Sequence, residues 1–270
     1  MIPYIITSCG YMQYHAGIRA LYKLADKLNA AGCEAYMFSA GSAPYASPNI
    51  YSDRRKLQAL IKAGAIVVYP EIYPTNVLGS KRPVSWMLNY RETDISERFY
   101  WHRIMTATEE DERVLALDLV EHDLFNNNAK HERLFNSVWV GKGMADDRMY
   151  TIPDARFIAN TRPADRAELA VWLKQSKALY TFDAMTMLVS EACLCGTPVI
   201  YLPNAGNTQA AVRSTLDISV NGFAYGNEPA EIERAEASVG AYAADYAAYF
   251  GKESEYLADF IRLTQRMEAI

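Results

Sequence analysis

The sequence predicts an α/β protein built on parallel sheets. Short apolar, β-prone runs alternate with amphipathic stretches, glycines stand where those stretches would stop, and the alternation occurs in both halves of the chain. Residues 4–7 (YIIT) form the first apolar run. After a turn-like segment, Ile18, Leu21, Ala25 and Leu28 recur at helical spacing, and Gly32 sits where that helix would end. Residues 34–39 read as the next strand, which makes the first forty residues a βαβ unit. Residues 53–64 repeat the amphipathic pattern with its terminal glycine, ahead of a strand at 65–70.

Between 69 and 91 proline and glycine interrupt the apolar periods around a short strand at 83–88, and further strands are expected at 114–117 and at 120. The polar stretch 126–133 (NNNAKHER) suggests a boundary between a domain of residues 1–133 and one of residues 134–270. Beyond it, strands at 137–140, 156–159, 178–181 and 198–203 bracket helices at 165–174 and 185–195, the second closed by Gly196. Asp165, with Glu168 three residues on, is an acidic form of the helix-start box. The tail from 229 is helical with a break near Gly251, and no internal repeat stands out.

Composition narrows the function. With 270 residues, 50% hydrophobic and 22% charged, the chain is too apolar for disorder, and 14 glycines with 11 prolines are too few for a collagen-like class. A net charge of −5 without a run of five like charges leaves no footprint for nucleic acid. The opening residues lack the basic-then-apolar pattern of a signal peptide and no long apolar run follows, so a cytoplasmic protein is expected. The four cysteines are expected to be reduced and mostly buried. The sequence has no HExxH, no CxxC pair and no DxD, so no metal is expected.

The strongest chemical signal is residues 179–203. A strand delivers Asp183 to its carboxyl end, where ligands of open α/β sheets bind, and a helix starts there with its N–H groups turned to the same crevice. Thr186 stands at that helix start. Glu191 follows eight residues after Asp183, and a carboxylate can accept from both hydroxyls of a cis-diol. Asp183 also suits the plain role of a helix cap. In VWVGKG (138–143), Gly141, Lys142 and Gly143 form a small basic loop after a strand. Gly10, His15 and Gly17 flank the loop after the first strand.

Asp183, the seven residues after it, Glu191, Ala192, Gly196, Pro198 and Val199 together resemble the nucleotide-sugar motif of retaining GT-B glycosyltransferases, with Asp in place of the usual first Glu. VWVGKG resembles the first strand and loop of their second domain. Residues 69–91 resemble bacterial polysaccharide and lipopolysaccharide glycosyltransferases, with Arg91 near the place of a Pro-Gly, and NGFAYG (221–226) resembles the end region.

The resemblance implies two Rossmann-like domains with a central cleft and a C-terminal helix packing back across both. It implies transfer of a sugar from a nucleotide-sugar donor to a glycan or lipid-linked acceptor in bacterial surface polysaccharide synthesis. No cofactor would be needed, and the enzyme would work in the cytoplasm, at the inner face of the membrane or in an assembly complex. Glu191 would hold the ribose, Thr186 and the helix start would approach the diphosphate, and Lys142 with Arg162 or Arg166 would neutralise the leaving phosphate. Asp183, Lys142 and His122 are the catalytic candidates, with His15, Gly10 and Gly17 on the acceptor-side domain. A nucleotide-sugar epimerase of the same fold and a non-catalytic binding module are the alternatives.

Overall fold

The structure, a computed structural model, describes residues 1–40, 50–89, 91–102, 113–144, 146–183, 185–205, 208–209, 212 and 218–270. Contacts divide the chain into two compact units, Met1–Leu119 with Phe250–Ile270, and Val120–Tyr249.

The first unit begins β1 (Tyr4–Cys9), α1 (Ala16–Ala30), β2 (Ala35–Ala40), α2 (Arg54–Ala63), β3 (Ile66–Pro70), β4 (Arg82–Met87) and β5 (Arg98–Tyr100). Its sheet is parallel in the order β2-β1-β3-β4-β5. Alternate residues of β1 serve opposite faces: Ile5 packs with Leu57 and Ile61 of α2, while the ring of Tyr4 meets Phe260. The Asp53 carboxylate accepts from the Lys56 N–H at 2.9 Å to start α2, and Gly64, at φ 101°, ends it in a left-handed conformation that favours glycine.

Two local expectations change here, since no strand forms at 114–117 or at 120. Residues 114–117 are buried but only Val114 bridges Tyr100, while β5 (Arg98–Tyr100), short and half polar, is a strand that periodicity does not reveal. The apolar run is buried because it lies along β5, where the Leu115 carbonyl also accepts from Trp86 Nε1 at 3.1 Å. Within 69–91, the Tyr69 hydroxyl donates to Asn76 Oδ1 at 2.9 Å and the Asn76 side chain closes on both main-chain groups of Ser80, so these motif residues brace a loop.

The second unit holds β6 (Phe135–Trp139), β7 (Ala155–Phe157), α3 (Arg166–Gln175), β8 (Ser176–Thr181), α4 (Met187–Leu194), β9 (Val199–Tyr201), β10 (Phe223–Tyr225), α5 (Pro229–Ser238) and all but the last residue of α6 (Tyr242–Phe250). Its parallel sheet runs β10-β9-β8-β6-β7. Taken in chain order, both sheets run second, first, third, fourth, fifth, a repeat of topology without a visible repeat of sequence. The strand order reverses between β1 and β3 in one sheet and between β6 and β8 in the other, and a crevice opens outside the carboxyl ends at such a point. The helix-start box is present: Asp165 accepts from the Glu168 N–H at 2.8 Å, and the Glu168 carboxylate accepts from the Ala164 N–H at 2.8 Å.

The unit boundaries differ from the expected split after residue 133. Residues 120–133 go with the second unit because Arg133 donates to the carbonyls of Leu173, Ser176, Cys195 and Gly196. The chain returns to the first unit as α7 (Glu253–Thr264), where the Tyr4 hydroxyl bonds Thr264 Oγ1 at 2.7 Å and Phe260 packs edge-on against Phe99. Composition marks polar stretches but not the partner on which a tail docks.

Candidate functional site

At the switch point of the second sheet, the loop after β6 and the segment after β8 are joined by one carboxylate. Asp183, 5% exposed, accepts from the Lys142 N–H through Oδ2 and from the Met185 N–H through Oδ1, each at 3.0 Å. The Asp183 N–H donates to Thr181 Oγ1, which fixes the turn out of β8. Gly141 has φ 56°, and a Cβ there would lie 2.3 Å from Asp183 Oδ2 and 2.4 Å from Trp139 Nε1. A Cβ on Gly143 would lie 1.9 Å from the Phe182 carbonyl oxygen. The loop therefore needs both glycines to sit this close to β8. Trp139 Nε1 is closed to solvent and has no acceptor among the described residues.

The Lys142 side chain is exposed at the tip of this loop. Thr186 caps α4, its hydroxyl accepting from the Leu188 N–H at 3.4 Å. Two further contacts tie the neighbouring loops: Asn204 Nδ2, after β9, donates to the Met144 and Phe182 carbonyls, and Arg148 joins Asp146 to the Pro203 carbonyl. The result is a rigid rim at the carboxyl end of the sheet, in which Asp183 and Thr186 take up the Lys142, Met185 and Leu188 N–H groups and the Lys142 side chain stays exposed. Such a rim can hold an anionic group.

A second polar cluster lies between α3 and α4. Arg166 grips Glu191 with two prongs, Nη2 to Oε1 at 2.7 Å and Nη1 to Oε2 at 3.1 Å. Its Nε donates to Glu121 Oε2 at 2.7 Å, and the guanidinium lies over the Phe125 ring at 4.5 Å. Burial by itself would lower the Arg166 pKa, and the Glu191 and Glu121 carboxylates more than reverse that.

No protein-family model and no curated protein matches the sequence. Among solved structures, the chain is similar over its full length, and the full length of that chain, to AviGT4, a glycosyltransferase involved in avilamycin A biosynthesis, at 13% identity and a TM-score of 0.62. The chain has the GT-B fold. It is also similar to WaaG, a glycosyltransferase involved in lipopolysaccharide biosynthesis, at 11% identity and a TM-score of 0.47, covering 97% of this chain and 98% of that one.

Of the residues that the GT-B resemblance nominates, the structure brings together Gly141, Lys142, Gly143, Asp183 and Thr186. It pairs Glu191 with Arg166. Arg162 is placed elsewhere, its guanidinium over Trp172, which packs on Phe135 at the opposite end of β6 from the glycine loop. His122 is exposed with its ring against Tyr246. In the first unit, Gly10, His15 and Gly17 lie between β1 and the first turn of α1, where His15 holds the cap position without a side-chain cap bond. Sequence reasoning passed over Trp139 and Glu121; the only hint of Glu121 was its place beside His122. Among the described residues no cluster of acidic, His and Cys side chains could hold a metal, and no helix is long and apolar enough to cross a membrane.

Proposed function

We propose that this GT-B chain is a glycosyltransferase that moves a sugar from a nucleotide-sugar donor to a glycan or lipid-linked acceptor in polysaccharide synthesis. The observation that carries the reading is the Asp183 carboxylate fastening the Gly141–Lys142–Gly143 loop to the start of α4 at the point where the strand order reverses. There the donor diphosphate meets the positive end of α4 and the Lys142 ammonium. The spare Trp139 N–H adjoins the same loop.

Transfer requires the bond between the anomeric carbon and the diphosphate to break, with negative charge gathering on the leaving oxygens. Lys142 and the α4 N-terminus stabilise that charge, so a metal ion is not required. The same-face, retaining course is carried over from the resemblance, in which the departing phosphate itself helps to take the acceptor proton.

The test is a calorimetric and thermal-shift screen against UDP, GDP, CMP, ADP, dTDP and their common sugar conjugates. One nucleotide should raise the melting temperature, and its sugar conjugate should be hydrolysed slowly in the absence of acceptor. Lys142→Ala should weaken that nucleotide about tenfold, the loss of one charge-assisted contact, and leave the unliganded melting temperature in place because Lys142 is exposed. Failure of every nucleotide to bind at millimolar concentration overturns the reading.

A further inference from the structure

The main-chain donor at the tip of the glycine loop is already in use. Asp183 Oδ2 holds the Lys142 N–H at 3.0 Å, and Asp183 is 5% exposed. Beside it stands the opposite case. Trp139 Nε1 is closed to solvent and has no acceptor among the described residues, although a buried donor left unpaired is costly.

Gly141 keeps the two apart. The point where its Cβ would lie is 2.3 Å from Asp183 Oδ2 and 2.4 Å from Trp139 Nε1, so the carboxylate and the indole N–H flank one point beside the Gly141 α-carbon. No hydrogen bond joins them.

Their placement follows from the sheet. Trp139 ends β6 and pairs in register with Thr181 of β8, two residues before Asp183. Neighbouring strands therefore fix the indole and the carboxylate, whereas the peptide between Gly141 and Lys142 belongs to the loop. Gly141, at φ 56°, has no side chain to oppose a turn of that peptide. The Gly143 N–H is anchored on the Val140 carbonyl at 2.9 Å, which keeps such a turn local.

We propose that Trp139 is a positioning residue that lets the loop release its N–H to the ligand. When a nucleoside diphosphate arrives, the Gly141–Lys142 peptide turns its N–H from Asp183 to a phosphate oxygen, and Asp183 Oδ2 accepts from Trp139 Nε1 instead. Oδ1 stays on the Met185 N–H at 3.0 Å, so the turn after β8 keeps its form. The exchange leaves no carboxylate oxygen stripped of its donor beside the incoming negative charge, and it gives a partner to an N–H that has none in the free protein. This rests on the nucleotide-sugar reading of the site.

Nuclear magnetic resonance of the indole N–H groups during titration with UDP, GDP, ADP and dTDP tests the proposal. The chain has four tryptophans, of which Trp86 already donates to the Leu115 carbonyl at 3.1 Å, and the Trp139 signal is the one lost in Trp139→Phe. In the wild type that signal should move downfield, the direction of hydrogen-bond formation, as the nucleotide saturates. A role in packing alone leaves it in place. Trp139→Phe should weaken the same nucleotide about tenfold, in keeping with the loss of a hydrogen bond to a charged acceptor; should that variant fail to fold, the wild-type signals decide alone. A nucleotide that binds without moving any indole signal downfield, or that Trp139→Phe binds as tightly as the wild type, overturns the proposal and leaves the glycosyltransferase reading standing. A wild type that binds none of the nucleotides defeats both.

Discussion

The Arg166 guanidinium and the Glu191 carboxylate meet end-on at 2.7 and 3.1 Å, with side chains only 8% and 2% exposed. A buried pair of this kind is costly to break from one side, because the remaining charge stays in a place water reaches poorly. Glu191→Ala should destabilise the second unit by about 3–5 kcal/mol, whereas the double replacement Arg166→Met with Glu191→Leu should recover most of that loss. Denaturant unfolding of the three proteins checks it, and a single variant that unfolds like the wild type would contradict it.

The glycine loop makes a sharper demand. Gly143→Ala would set a Cβ 1.9 Å from the Phe182 carbonyl oxygen, and Gly141→Ala would meet both Asp183 and Trp139 in addition to an unfavourable φ. Each should displace the loop and reduce nucleotide affinity and turnover by at least about tenfold, as losing one or more anion contacts would. Gly32→Ala is the control: its φ of 80° costs about 1 kcal/mol, but nothing lies within 4 Å of the added carbon, so activity should be unchanged.

Arg133 answers the unpaired carbonyls at the ends of two helices. It donates to Leu173 and Ser176 at the close of α3 and to Cys195 and Gly196 at the close of α4. Burial lowers its pKa from the ordinary guanidinium value, yet a cation at two helix C-termini is well placed against both dipoles. Arg133→Ala should cost about 3 kcal/mol in denaturant unfolding, and Arg133→Lys should restore only part of it because an ammonium lacks the planar fork.

Burial pushes the Cys195 thiol up to about 12 and the Cys193 thiol well above the ordinary value. Both should resist a disulfide reagent at pH 8 in the native protein and react once it is unfolded, while Cys9, less buried, should react first. The folded state holds the Cys195 proton more tightly than the unfolded chain does, whose thiol titrates near 9.0. Stability from this group is therefore complete below about pH 9 and falls as pH rises towards 12. Unfolding curves at pH 8 and pH 10 on the wild type and Cys195→Ala should diverge in that direction.

Much of the local architecture was legible in the residues themselves. The alternation of apolar runs and amphipathic stretches, the glycines at 32, 64 and 196 with φ of 80°, 101° and 71°, and the Asp165–Glu168 box are all short-range features. They depend on backbone sterics and on hydrogen bonds spanning a few residues, and such forces are written in neighbouring letters. The placement of Asp183 at a strand end belongs to the same class, because a parallel strand followed by a helix has few other ways to arrange its turn; its bond to the Lys142 N–H, 41 residues away in the chain, does not.

Only the tertiary structure decided which distant groups meet. No spacing rule links Arg166 to Glu191 and Glu121, Arg133 to two helix ends, or residues 250–270 to the first unit, since each depends on which elements pack together after collapse. Glu191 and Glu121 look alike as letters. They share one guanidinium, yet the first is closed to solvent and the second is half exposed, because a charge taken out of water must find its partner in three dimensions.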